Sequence, residues 1–113
     1  MIYDLDERTK KFSMGLIIYL KNIKLNEINR NIVSQLIRSG TSIGANYQEA
    51  NGSCSKKEFK NKIAISAREA RETKYWIELL SKCDCKNIDS LRVLWKEAHE
   101  LSLIFSKIAS RNS

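Results

Sequence analysis

Two glycines set inside a long apolar stripe constrain this chain more than any other feature. Ile32, Val33, Leu36, Gly40, Ile43, Gly44, Tyr47 and Ala50 follow one another at helical spacing. A helix carries them on one face for about five turns. Gly40 and Gly44, four residues apart, lie one above the other on that face. A glycine in a helix interior costs about 1 kcal/mol relative to alanine. Two on an apolar face are expected where another helix backbone or an aromatic ring comes close. Ser42, Asn46 and Glu49 form a polar stripe beside them. We read Gly40, Ser42, Gly44, Asn46 and Glu49 as one structural motif. The glycines serve close packing, and the polar stripe is expected to hydrogen-bond a neighbouring helix and fix its register. The alternative is a break at Ser39-Gly40, with Thr41 or Ser42 capping a new helix.

The rest of the chain reads as three more helices. The first is expected over 4–23, with acidic Asp4, Asp6 and Glu7 at its start and Lys21 and Lys24 at its end, both suited to the helix dipole. Its core stripe is Leu5, Phe12, Leu16, Tyr19, Leu20 and Ile23. The glycine-bearing helix is expected over 27–51, capped by Asn26 and ended by Gly52 at a position that tolerates positive φ. Ser55-Lys-Lys-Glu58 is a capping box, so the third helix is expected over 56–81. Asn87 or Asp89 can cap the fourth, over 88–109, whose core stripe includes Leu91, Leu94, Trp95, Ala98, Leu101 and Phe105. Four amphipathic helices with short connections imply an all-α, antiparallel up-down-up-down four-helix bundle. At 113 residues it reads as a single domain.

Two helices are apolar on more than one side. Met14, Ile17 and Ile18 oppose the core face of the first helix. Ile65, Trp76 and Leu79 form a third stripe on helix three. A helix buried on both sides needs more than one small bundle. We therefore read these six residues as an oligomer interface, with a locally apolar surface as the alternative. Helix three also carries a basic stripe of Lys57, Lys60, Arg68, Arg71 and Lys74, with Tyr75 beside it. With 20 Lys and Arg against 13 Asp and Glu, the net charge is +7, which favours RNA or DNA as a partner through phosphate contacts. The alternative is a solvated face with Arg68 and Glu72 paired at i,i+4.

Catalytic chemistry finds little support. His99 is the only histidine, and Glu97-Ala-His99-Glu100 lacks the Glu-x-x-His spacing of a di-iron bundle. No phosphate-binding Gly-x-x-x-x-Gly-Lys loop occurs. Cys54, Cys83 and Cys85 are odd in number, and Cys83-Asp-Cys85 lacks structural-zinc spacing. We expect no catalytic residues, metal or cofactor. No apolar run reaches the 18 residues of a membrane span, and acidic residues precede Met14 to Leu20, so the expected compartment is the cytoplasm.

The run Gln35 to Ala50, with Ser55-Lys-Lys-Glu-Phe59 and Ala70-Arg-Glu-Thr-Lys-Tyr-Trp76, resembles the four helix bundle proteins encoded by intervening sequences of 23S ribosomal RNA genes, also called S23-type. The resemblance covers roughly 8–108, and Ser42, Ile43, Asn46 and Glu49 are its most specific part. Many members place glycine directly after that glutamate, where this chain has Ala50. The resemblance implies a bundle assembling as a ring, typically a homopentamer. It also extends to the accessory protein of diversity-generating retroelements, a basic pentameric barrel that binds nucleic acid and a reverse transcriptase. The expected function is thus a non-enzymatic homo-oligomer that binds nucleic acid, structured RNA in the first place. The alternative is a scaffold for a mobile-element protein such as a reverse transcriptase. A nuclease acting through paired carboxylates such as Glu69 and Glu72 is the weakest reading.

Overall fold

The computed structural model describes residues 4–83 and 86–111. Over these the chain forms four helices, α1 (Leu5–Leu20), α2 (Arg30–Asn51), α3 (Lys56–Leu80) and α4 (Ile88–Ser110). No strand occurs among the described residues. The helices run up and down in an antiparallel bundle measuring 46 × 25 × 19 Å. The α2–α3 and α3–α4 seams are the most extensive. α1 leans mainly on α2 and only lightly on α4.

The helix ends depart from expectation where side chains compete for backbone groups. α1 stops at Leu20, three residues early. Asn22 donates its side-chain amide to the Ile18 carbonyl at 3.0 Å, and Ile23 bonds back only three residues, to Leu20. Lys21 and Lys24 therefore lie beyond the last turn. Asn26 does cap a turn, and Asn29 answers it. The Asn26 side chain accepts from the Asn29 amide at 2.8 Å, while the Asn29 side chain accepts from the Asn26 amide at 2.9 Å. This reciprocal pair occupies residues 26–29, and regular helix begins at Arg30.

α3 opens on Ser55, whose hydroxyl accepts from the Glu58 amide at 3.1 Å. The Glu58 carboxylate reaches back to the amide of Cys54, one residue before the position a capping box uses. Gly52 closes α2 with φ −92, so the helix end does not need glycine's positive-φ freedom. The left-handed backbone belongs to Asp4 and Asn87, at the starts of α1 and α4, and neither side chain caps its helix.

Helix α2 is unbroken through Ser39-Gly40. Its glycines do what their place in the stripe predicts. A methyl group at Gly40 would come 2.2 Å from Cδ2 of Leu16, and one at Gly44 would come 3.0 Å from Cβ of Thr9. Both contacts belong to α1, so the glycines let α1 close on α2. Leu16, Leu36, Ile43, Ile63, Leu101 and Phe105 are completely buried at the centre, and Tyr47 tilts against Phe105 at 5.7 Å between ring centroids. Each such side chain contributes about 1.5–3 kcal/mol by leaving water.

The polar stripe of α2 acts differently from expectation. The Ser42 hydroxyl donates to Arg38 O at 2.7 Å, and the Asn46 amide donates to Ser42 O at 2.9 Å. Both bonds stay within α2, because these side chains sit on its flank and the carbonyl one turn back is the nearest acceptor. Only Glu49 reaches another helix, at 4.0 Å from Lys62 Nζ. The buried hydroxyls that tie α2 to α3 are others. Ser66 donates to Ile43 O at 2.9 Å, and the Thr73 hydroxyl, which donates to Glu69 O at 2.7 Å in its own helix, lies 3.1 Å from Ser39 Oγ. Among the described residues no buried side-chain nitrogen or oxygen lacks a partner.

Candidate nucleic-acid interface

The outer face of α3 is built by helical spacing. Lys57, Arg68 and Arg71 are exposed, Lys60 is half-buried, and Tyr75 continues the line at its far end. From Lys57 to Tyr75 the stripe runs about 27 Å along the helix. The residues filling it are Asn61 and Ala64, so no carboxylate interrupts it.

The acidic residues of α3 are directed elsewhere. Arg38 of α2 reaches between Glu69 and Glu72, with Nη1 3.3 Å from Glu69 Oε1 and Nη2 hydrogen-bonded to Glu72. The indole N–H of Trp76 also donates to Glu72, at 2.9 Å. That bond, then Arg38, holds the Glu72 carboxyl below its ordinary value, and Arg38 is raised in turn, chiefly by its bond to Glu72. The Arg68–Glu72 pair of the solvated-face alternative does not form. Arg38 takes the carboxylate from the facing helix, and Arg68 stays exposed and acts on Glu72 only through space.

Two of the five basic residues are engaged with α4. Arg71 donates to Ser106 Oγ at 3.1 Å and keeps an exposed position. Lys74 turns off the stripe into the α3–α4 seam. Its Nζ lies 3.0 Å from His99 Nδ1 and 5.5 Å from the centre of the Trp95 ring. Trp95 stacks on His99 at 5.1 Å and donates to Glu78 Oε2 at 2.9 Å. The outward basic face is therefore Lys57, Lys60, Arg68 and Arg71, without Lys74.

The apolar residues assigned to an interface fall into two groups. Met14, Ile17 and Ile18 of α1 are exposed, Ile18 to 57%. Ile65, Trp76 and Leu79 are half-buried within the single chain, and Trp76 packs against its core. Val93 and Leu103 on α4, and Leu25 and Ile28 between α1 and α2, are also exposed. The α4 pair was readable by the test that singles out Met14 on α1: apolar residues off the core stripe. Between α1 and α4 runs a groove of about 830 Å³ lined by Gly15, Ile18, Tyr19, Val93 and Leu94 among others. Elsewhere α1 is tied to α4 by Arg8, whose guanidinium meets both Glu97 oxygens at 2.7 and 3.0 Å and Glu100 at 3.2 Å. The bond to Glu97 raises Arg8 above the ordinary arginine value.

Glu97 and His99 thus serve different neighbours, Arg8 and Lys74. Glu69 and Glu72 both turn toward Arg38. Cys54 and Cys83 are free thiols at opposite ends of α3, and Cys85 lies outside the described residues. Among the described residues no three of His, Cys, Asp and Glu gather as a metal site would need. No described helix is long and apolar enough to cross a membrane.

Comparison with known proteins adds the family. The model of the 23S rRNA-intervening sequence proteins matches residues 4–107, which takes in all four helices almost to the end of α4. The chain belongs to that family. It is also similar to a crystal structure of a protein with unknown function, from the S23 ribosomal protein family of Bacteroides thetaiotaomicron. The TM-score is 0.81 at 28% identity, covering 95% of this chain and 99% of the other. No curated protein matches the chain. The four-helix architecture and the family implied by the Gln35–Ala50 run are thus both shown.

Proposed function

We propose that this family member is a non-enzymatic homo-oligomer that binds nucleic acid, structured RNA in the first place, through the outer face of α3. One observation carries the reading: Lys57, Lys60, Arg68 and Arg71 line one helix face without a carboxylate, while Glu69 and Glu72 beside them are taken by Arg38. The chain carries a net charge of +7, and this face presents four of its cations where a phosphate backbone can lie. Four cations on one protomer make a weak site. A ring of identical copies, the pentamer that the family resemblance implies, repeats the site and raises its avidity. The exposed Met14, Ile17 and Ile18 supply apolar surface for such assembly.

Fluorescence anisotropy of a labelled stem–loop RNA, titrated with the protein over a salt series, tests the reading. Binding at low salt that weakens steadily as salt rises is the expected result. Absence of binding at low salt, or affinity indifferent to salt, sinks it.

A further inference from the structure

We infer that Tyr75 is a stacking platform for an unpaired base, so that the α3 face selects single-stranded segments of nucleic acid over continuous duplex. This inference rests on the nucleic-acid reading above and adds to it the class of segment bound. Three observations lead there. Tyr75 is 54% exposed, one of the large side chains that the bundle leaves uncovered. It follows Arg71 by four residues and Arg68 by seven, so the three share one face of α3. The ring also has an aromatic neighbour held in place. Trp76 meets it edge to face at 5.0 Å and 74°, the Trp76 indole is tied to Glu72 at 2.9 Å, and Glu72 is held by Arg38.

The spacing suits a single strand. Arg71 and Tyr75 are about 6 Å apart along the axis, close to the rise between neighbouring nucleotides of an extended strand. A base laid on the Tyr75 ring leaves its flanking phosphates within reach of Arg71 and Arg68. The carboxylates next to Tyr75 are directed away from it. Glu72 pairs with Arg38, which it shares with Glu69, and Glu78 is drawn toward α4 by the Trp95 N–H. A duplex keeps its base faces stacked on one another and has none to offer the ring along its length, whereas loops and bulges do. Stacking on an aromatic ring tolerates any base, so selection is by strandedness and not by sequence.

Two probes of equal length, a labelled oligouridine and a blunt RNA duplex, separate this inference from the reading beneath it. Tyr75→Ala is expected to weaken oligouridine binding about ten- to a hundred-fold. Duplex binding should stay within about twofold. Tyr75→Phe keeps the ring and should bind both probes as wild type does. The double variant Arg68→Gln/Arg71→Gln should weaken both probes. Equal affinity of wild type and Tyr75→Ala for oligouridine overturns the platform. So does an equal loss on both probes, which marks Tyr75 as structural. If neither probe binds wild type at low salt, the nucleic-acid reading itself has failed.

Discussion

Gly40→Ala tests the packing logic of the fold on a single methyl group. The added Cβ would lie 2.2 Å from Leu16 Cδ2 and 3.5 Å from Phe12 Cε2. Two carbons rest at about 3.5–4.0 Å, so the first contact is impossible without movement. Leu16 is a flexible side chain, but it is completely buried and Phe12 is nearly so. It has little room to rotate, and the alternative is that α1 lifts from α2. Overpacking of this kind costs about 1–3 kcal/mol. Alanine regains about 1 kcal/mol of helix propensity in the other direction. The net expectation is a loss of up to about 2 kcal/mol, or several degrees in melting temperature for a domain of this size. Urea denaturation followed by circular dichroism measures it, at one fixed protein concentration because assembly contributes to apparent stability. Leu16→Ala alone should cost about 2–5 kcal/mol as a cavity. Combined with Gly40→Ala it should cost less than the sum by about 1 kcal/mol or more, because the new methyl enters the vacated space. The reasoning is refuted if Gly40→Ala gains the full helix-propensity term and the two changes add independently.

Three further outcomes follow from the seams. Ser66→Ala removes the buried bond to Ile43 O and should lower stability by about 1 kcal/mol, read by the same denaturation; no change would show that the hydroxyl does not tie α3 to α2. Glu72 is depressed by the Trp76 N–H and then Arg38, so its stabilisation is present above the ordinary value of 4.5 and is lost as pH falls through the lower folded-state value. Glu72→Gln should therefore lower stability at neutral pH and flatten the fall in stability below about pH 4.5, and an unchanged acid limb would contradict this. Ile18→Glu places a charge on the outer face of α1 and should reduce the particle mass in light scattering while leaving helical content intact; an unchanged mass would remove that face from the interface.

What the sequence makes legible follows the range of the forces involved. The stripes of α2 and α4 are readable because an apolar residue recurs with every turn and each repeat carries the same signal. Gly40 and Gly44 add the place of close approach, and α1 occupies it. Helix ends are harder, because they depend on one or two side-chain bonds such as Asn22 to Ile18 O and the Asn26–Asn29 exchange. The polar stripe of Ser42 and Asn46 looked like an interhelical device, yet each side chain finds its acceptor one turn back in its own helix. Ser39, Ser66 and Thr73 take that role from positions with no distinguishing pattern. On the candidate site, the spacing puts Arg68, Arg71 and Tyr75 together correctly. It does not reveal that Lys74 belongs to His99 or that Arg38 takes Glu72, since both depend on the register between helices.

The central proposal, phosphate contact by the outer face of α3, is tested most directly by the salt dependence of RNA binding in wild type and in Arg68→Gln/Arg71→Gln. Each phosphate contact on a single strand contributes about 0.7 to the slope of log affinity against log salt concentration. Loss of two such contacts should reduce the magnitude of that slope by about 1.4 for each protomer engaged, with helical content and particle mass unchanged. A double variant with the wild-type slope and affinity would contradict the proposal and place the binding surface elsewhere.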